Sequence, residues 1–175
     1  MKIQKILAVA GSLVISCAFL AAAQQRNGVR VQMNDAQGNS VGTATLVPAA
    51  NGVTIRLNLM NLSPGDHAIH VHVNAKCEGP AFASAGGHFN PDMKKHGLEN
   101  PDGPHAGDMP NFTAAADGTA KASVVAPGVT MGDDAHSVFT NGGTALVIHA
   151  KADDMKTDPA GNAGDRIACG IIAKP

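Results

Sequence analysis

Apolar and polar residues exchange places at nearly every step along much of the chain. Val29, Val31 and Met33 alternate with Arg30, Gln32 and Asn34, the period of two that marks a strand with one buried face. Asp35-Ala36-Gln37-Gly38-Asn39 then supplies turn formers for a hairpin loop, and Val41 to Val47 is a second strand. Asn51-Gly52 signals another hairpin. Val53, Ile55, Leu57 and Leu59 follow, spaced by Thr54, Arg56, Asn58 and Met60. Ser63-Pro64-Gly65-Asp66 turns the chain into a strand from His67 to Val73, and further strands are expected over 119–125 and 144–150. No segment after the first 23 residues keeps a helical period. Short strands separated by turn signals predict an all-β antiparallel sandwich or barrel.

Two stretches, 74–111 and 151–168, break the pattern and are rich in Gly, Pro, Asp and Asn. Structureless loops beyond about 12–15 residues need a function or a constraint to hold them. Here the first contains Cys77, His88, His96, His105 and Asp108, and the second leads into Cys169. Bound metal and a disulfide would stand in for the apolar core that these segments lack.

Length and composition narrow the class. The 175 residues fit one domain behind a leader, and with 44% hydrophobic against 15% charged residues the chain is not a disordered polyelectrolyte. Aromatics are 3%, with no Trp and no Tyr, which leaves nucleic-acid binding by base stacking almost nothing to use. Net charge is −1, and without Lys2 and Lys5 the body holds 11 basic against 14 acidic residues, a poor surface for a polyanion.

Lys2 and Lys5 precede an apolar run from Ile6 to Ala23, which reads as an export signal occupying residues 1–23, with residues 24–175 as the folded domain. Ala21-Ala22-Ala23 offers a cleavage site. Val14-Ile15-Ser16-Cys17 offers a different one, similar to a lipobox, in which Cys17 would carry a lipid and anchor the protein to a membrane. An uncleaved anchor is the third reading, since 18 residues is near the lower limit for spanning. All three put the domain outside the cytoplasm, at the periplasm or the cell surface. In that compartment Cys77 and Cys169 suit a disulfide, and two soft metal ligands are the alternative.

The histidines carry the chemistry. His70 and His72 sit two apart in a strand and so share a face, opposite Val71 and Val73, which are expected to pack inward. With His149 they form an imidazole set suited to copper as Cu(II) and Cu(I). His88, His96, His105 and Asp108 fall within 21 residues and suit a closed Zn(II) site, because zinc takes imidazole and carboxylate in a tetrahedron. Each of these residues alone could be an ordinary surface or core histidine; together they are much harder to obtain by accident.

The motifs Gly86-Gly87-His88-Phe89-Asn90-Pro91, Lys95-His96-Gly97 and His105-Ala106-Gly107-Asp108 resemble those of the copper/zinc superoxide dismutases. So do His70-Val71-His72 and the stretch from Gly161 to Gly170. The resemblance runs from about residue 28 to the end, and the segment Glu78 to Ala85 is similar to the bacterial secreted branch. It implies a Greek-key barrel, copper held by His70, His72, His88 and His149, and zinc held by His88, His96, His105 and Asp108. His88 would then bridge the two metals and hand a proton to the product. It further implies Arg166 at the copper mouth as the group that orients the anion, and Asp153 behind the ligands as the carboxylate that hydrogen-bonds a histidine of each metal. A Cys77–Cys169 disulfide, a supporting place for His67 and a non-ligand loop place for His136 complete the set.

The implied activity is dismutation of superoxide to dioxygen and hydrogen peroxide, as antioxidant defence outside the cytoplasm. All seven ligand positions are filled, whereas some relatives keep zinc and lose a copper histidine. One departure is the segment between Asp153 and Arg166, where Lys156 is the single cation, so attraction of the anion falls more heavily on Arg166. A metal-buffering protein would need the same ligands but not Arg166, and a zinc-only structural domain would not need the full copper set. Either a monomer or a homodimer is compatible with the sequence.

Overall fold

Each alternating run but that from His67 to Val73 becomes a single strand. The computed structural model describes residues 28–175, so both cleavage alternatives and Cys17 lie outside the described residues. The strands are β1 (Val29–Asp35), β2 (Ser40–Ala49), β3 (Gly52–Leu59), β4 (Gly65–His67), β5 (Ile69–His72), β6 (Phe112–Ala114), β7 (Ala120–Ala126), β8 (Thr144–His149) and β9 (Arg166–Ile172). Seven of them form one antiparallel sheet in the order β5-β8-β9-β1-β2-β3-β7, and β4 pairs with β6 in a separate ribbon. The neighbours that are not consecutive in sequence, β3 with β7, β5 with β8 and β1 with β9, are Greek-key crossovers. Because β4 leads into β5 and β6 leads into β7, the ribbon joins the two edges of the curled sheet and closes a barrel.

The inward face is the apolar half of the alternation. Val31 and Met33, Leu46, the β3 series Val53, Ile55, Leu57 and Leu59, and Leu146 and Ile148 are all buried in one core. Parity changes once in β2. The register slips between Met33 and Asn34, and this bulge lets both Val41 and Ala44 face inward. Gly42 sits there at φ 118, where a Cβ would run into the Asn58 carbonyl.

Three expectations need correction. The run from His67 to Val73 is two strands, because Ala68 separates β4 in the ribbon from β5 in the sheet, and Val73 lies past the end of β5 and is exposed. Residues 166–168 are strand rather than loop, since Arg166 opens β9. The long loops also have apolar anchors of their own. Phe82 and Ala85 pack with Ala145, Val147 and Cys169 in a second cluster, and Phe89, Ala106 and Met109 join the main core.

Candidate metal centre

The site is built on the outside of the barrel wall. In β5 and β8 the even-odd alternation sends Ile69, Val71, Leu146 and Ile148 into the core, and His70 pairs with Val147 while His72 pairs with Ala145 on the opposite face. Such a face would ordinarily meet water. Here the segments 73–111 and 150–165 cover it, so His70 and His72 are fully buried and His149 nearly so. The disulfide Cys77–Cys169, with Cα atoms 5.6 Å apart, ties the first segment to β9.

Two groups of ligand atoms form under this roof. One nitrogen from each of His70, His72, His88 and His149 comes together within 4.8 Å of the others, and so do atoms of His88, His96, His105 and Asp108. His88 belongs to both. Its Nδ1 is 2.9 Å from Asp108 Oδ1 and 3.4 Å from His105 Nδ1, while its Nε2 faces the imidazole-only group. The opposite Asp108 oxygen, Oδ2, accepts backbone N–H groups of Gly97 and His105 at 2.9 and 3.0 Å, which leaves Oδ1 aimed at the three histidines.

The hydrogen bonds outside each group fix which ring nitrogen is offered. His72 Nδ1–H donates to the Gly86 carbonyl at 2.9 Å, and His149 Nδ1–H to the Gly164 carbonyl at 3.2 Å. His70 Nε2–H donates to Asp153 Oδ2 at 2.7 Å, and His96 Nε2–H to Asp153 Oδ1 at 3.0 Å. Asp153 therefore touches one histidine of each group. What remains is four buried nitrogens without partners, His70 Nδ1, His72 Nε2, His88 Nε2 and His149 Nε2. Buried polar atoms are nearly always satisfied. Four unsatisfied lone pairs converging on one point are the arrangement that a metal ion completes, and the all-imidazole donor set fits copper while the imidazole–carboxylate set fits zinc.

Electrostatics separate the two groups. Burial pushes His72 down to about 2 and His88 and His149 down to about 4, and burial also lowers His70 despite its bond to Asp153. These rings are neutral at pH 7, with lone pairs ready to ligate. His96 behaves oppositely. Burial alone would lower it, but hydrogen bonds to Asp108 and Asp153 raise it to about 9. Burial would raise both carboxyls, but hydrogen bonds from His105, His88 and His96 at Asp108, and from His70 and His96 at Asp153, hold them well below the usual carboxylate range.

Arg166 stands at the rim of an open pocket of about 460 Å³ lined by His88, His105, His149, Pro159, Gly164 and Arg166 itself. Its Nη1 and Nη2 donate to the Phe82 and Gly86 carbonyls, both at 2.7 Å. Lys156 is engaged elsewhere, 2.9 Å from Glu99. His67 lies beside the site rather than in it. It bridges the carbonyls of His149 and Ser63 at 2.7 and 2.8 Å and stacks on Phe112. His136 meets Gly128 and Asp92 away from both groups. Sequence reasoning passed over Asn111, whose side-chain amide closes two 2.9 Å bonds on the Asp153 backbone. It also passed over the Phe82, Gly86 and Gly164 carbonyls. A main-chain acceptor has no residue signature, and a single loop Asn has almost none.

A barrel wall that bears an imidazole group and an imidazole–carboxylate group, joined through one histidine and open to a small anion beside a guanidinium, defines a paired-metal protein. Comparison with known proteins gives the family. The copper/zinc superoxide dismutase profile matches residues 40–172. A Cu-Zn superoxide dismutase of Aquifex aeolicus is 48% identical over 93% of this chain and 95% of its own length, and one from Caulobacter vibrioides is 42% identical over 77% and 79%. Among solved structures, a double mutant of a SOD-like protein from Bacillus subtilis superposes with a TM-score of 0.82 at 38% identity, covering 85% of this chain and 99% of that one. The Cu/Zn superoxide dismutase of Brucella abortus gives 0.68 at 32% identity, over 83% and 99%. The chain belongs to the copper/zinc superoxide dismutase family.

Proposed function

We propose that this protein dismutates superoxide to dioxygen and hydrogen peroxide, with copper held by His70, His72, His88 and His149 and zinc by His88, His96, His105 and Asp108. The observation that carries the assignment is the set of four unpartnered imidazole nitrogens lying beside the pocket that Arg166 borders. When bound, copper supplies a one-electron couple that superoxide can both reduce and oxidise, and zinc fixes the shared imidazole. The residues do the rest. Arg166 attracts and orients the anion, its guanidinium held still by two carbonyls. His88, which lines the pocket, would carry at Nε2 one of the two protons that hydrogen peroxide needs. Asp153 keeps His70 and His96 in the tautomers that face the metals, the usual duty of a carboxylate behind a ligand histidine.

Export is part of the same proposal. The Cys77–Cys169 disulfide fits an oxidising compartment, and residues 1–23 would be the signal that delivers residues 24–175, ending either at Ala23 or at a lipidated Cys17. Mass spectrometry of the mature N-terminus separates these endings, and sedimentation decides between monomer and homodimer.

Activity is tested by pulse radiolysis of the domain loaded with one copper and one zinc. The expected second-order constant lies near the diffusional ceiling of about 10⁸–10⁹ M⁻¹s⁻¹ that superoxide dismutases are known to reach. Decay no faster than in buffer, with both metals verified in place, would leave a metal-binding protein instead.

A further inference from the structure

The two carbonyls that hold Arg166 flank a single 3-10 turn. The turn spans Ala83–Ala85, Phe82 precedes it and Gly86 follows it, and the guanidinium donates to both ends. Gly86 suits its place plainly: it lies at φ 77, and a Cβ there would press on the Val73 and Asn74 side chains at 2.7 and 2.8 Å. Phe82 does not. It adopts φ 52 and ψ 28, a left-handed conformation that bulky side chains rarely enter and that glycine would reach at little cost.

What glycine would lack is the ring. Phe82 is almost wholly buried and packs with Ala85, Ala145, Val147 and Cys169, against the same disulfide that ties the segment to β9. A backbone outlier survives only where its surroundings enforce it, and such outliers gather at working sites. The Phe82 carbonyl also accepts the Ala85 N–H at 3.1 Å, so its direction is set by both the turn and the buried ring.

We infer that Phe82 is a positioning residue for Arg166: its ring, locked in the apolar cluster beside the disulfide, enforces the left-handed backbone that aims its carbonyl at Nη1. The inference rests on the reading of Arg166 as the anion-orienting group. Without the ring the turn keeps only its Gly86 end on the guanidinium, and the charge at the pocket rim is no longer held in one place. Phe82 belongs to neither ligand group, so both metals should stay.

The test compares Phe82→Ala, Phe82→Leu, Arg166→Ala and the Phe82→Ala/Arg166→Ala double variant, each loaded with copper and zinc. Phe82→Ala should slow superoxide decay and weaken azide binding by about tenfold each, short of the roughly hundredfold that displacement by a whole ångström can cost. Metal content should be unchanged. Phe82→Leu, which still fills the cluster and covers the case in which the alanine variant does not fold, should fall between. In the Arg166→Ala background Phe82→Ala should add nothing. Nuclear magnetic resonance of the zinc-loaded, copper-free protein gives a readout without turnover: the Arg166 guanidinium N–H signals should be distinct in the parent and averaged by solvent exchange in Phe82→Ala. If Arg166→Ala is slow while both Phe82 variants keep the parent rate, azide affinity and signals, the inference is overturned and the Arg166 reading stands. An equal loss in both Arg166 backgrounds also overturns it, because Phe82 would then act through the fold. Unchanged decay in Arg166→Ala overturns the reading itself.

Discussion

Arg166 and His72 share one acceptor: the Gly86 carbonyl oxygen lies 2.7 Å from Arg166 Nη2 and 2.9 Å from His72 Nδ1. A proposed copper ligand and the proposed anion-binding cation are therefore positioned by the same atom. The carbonyl fixes which His72 nitrogen faces inward and at the same time where the guanidinium sits. Gly86 lies at φ 77, a conformation that a side chain would strain, and a Cβ there would press on the Val73 and Asn74 side chains.

The first prediction concerns charge at that rim. With Lys156 paired to Glu99, Arg166 is the cation that borders the pocket. Arg166→Glu should slow superoxide decay by about 10- to 1,000-fold, the range over which local fields alter encounter rates. Copper and zinc content should match the parent, because Arg166 is not among either ligand group. Pulse radiolysis alongside metal analysis decides it, and unchanged kinetics would remove Arg166 from its assigned role.

Asp153 should matter for affinity rather than for encounter. Its two oxygens hold His70 and His96, and its own backbone is clamped by Asn111. Asp153→Ala should weaken binding of both metals, by about 10- to 100-fold, the usual cost of losing such a partner. Gly161→Ala should act in the same direction, since a Cβ at that position, which has φ 62, would collide with the Asp153 carboxylate. Competition with chelators of known affinity measures both. Parent-like affinity in Asp153→Ala would show that the histidines hold their orientation unaided.

The disulfide gives a stability prediction. It closes a segment of 92 residues, and losing a native bridge typically costs about 2–5 kcal/mol. For a chain of this size that corresponds to a fall in Tm of roughly 5–15 °C. Calorimetry of the metal-loaded Cys77→Ser/Cys169→Ser variant measures it. A Tm within a degree or two of the parent would mean that metals and apolar anchors already hold the roof.

What could be read from the sequence depended on whether side chains announce their surroundings. The strands of the main sheet were legible because one buried face imposes a period of two, as in Val53 to Leu59. His70 and His72 were legible for the same reason, since a shared face needs no knowledge of the partner strand. Strand β6 is three residues long, too short for a period to show. The break at Ala68 was hidden because His67, Ile69, Val71 and Val73 keep alternating through it, and only the switch of β4 to a different partner reveals two strands. The groups that hold Arg166 were hidden most completely, because carbonyl oxygens are common to every residue and only the path of the chain selects them.

The last prediction follows from the opposite behaviour of the histidines in the metal-free protein. His88 and His149 are lowered to about 4 and His72 to about 2, against roughly 6.5 in an unfolded chain. As pH falls below 6.5 the unfolded state takes up protons that the folded state refuses, so stability should drop steadily toward pH 4. His96, raised to about 9, contributes stability that is fully present below 6.5 and lost as pH rises through 9. Thermal unfolding of the metal-free protein should therefore be most resistant near pH 6–7. The same difference sets proton release on loading at pH 7.5. Zinc must displace the proton that Asp108 and Asp153 hold on His96, so one zinc should release about one proton. Copper added next should release one more, from His88 as its second nitrogen is engaged. A pH-stat titration counts both steps. Zinc uptake with less than half a proton released would mean that His96 is already neutral, and that the two carboxylates do not hold charge on it.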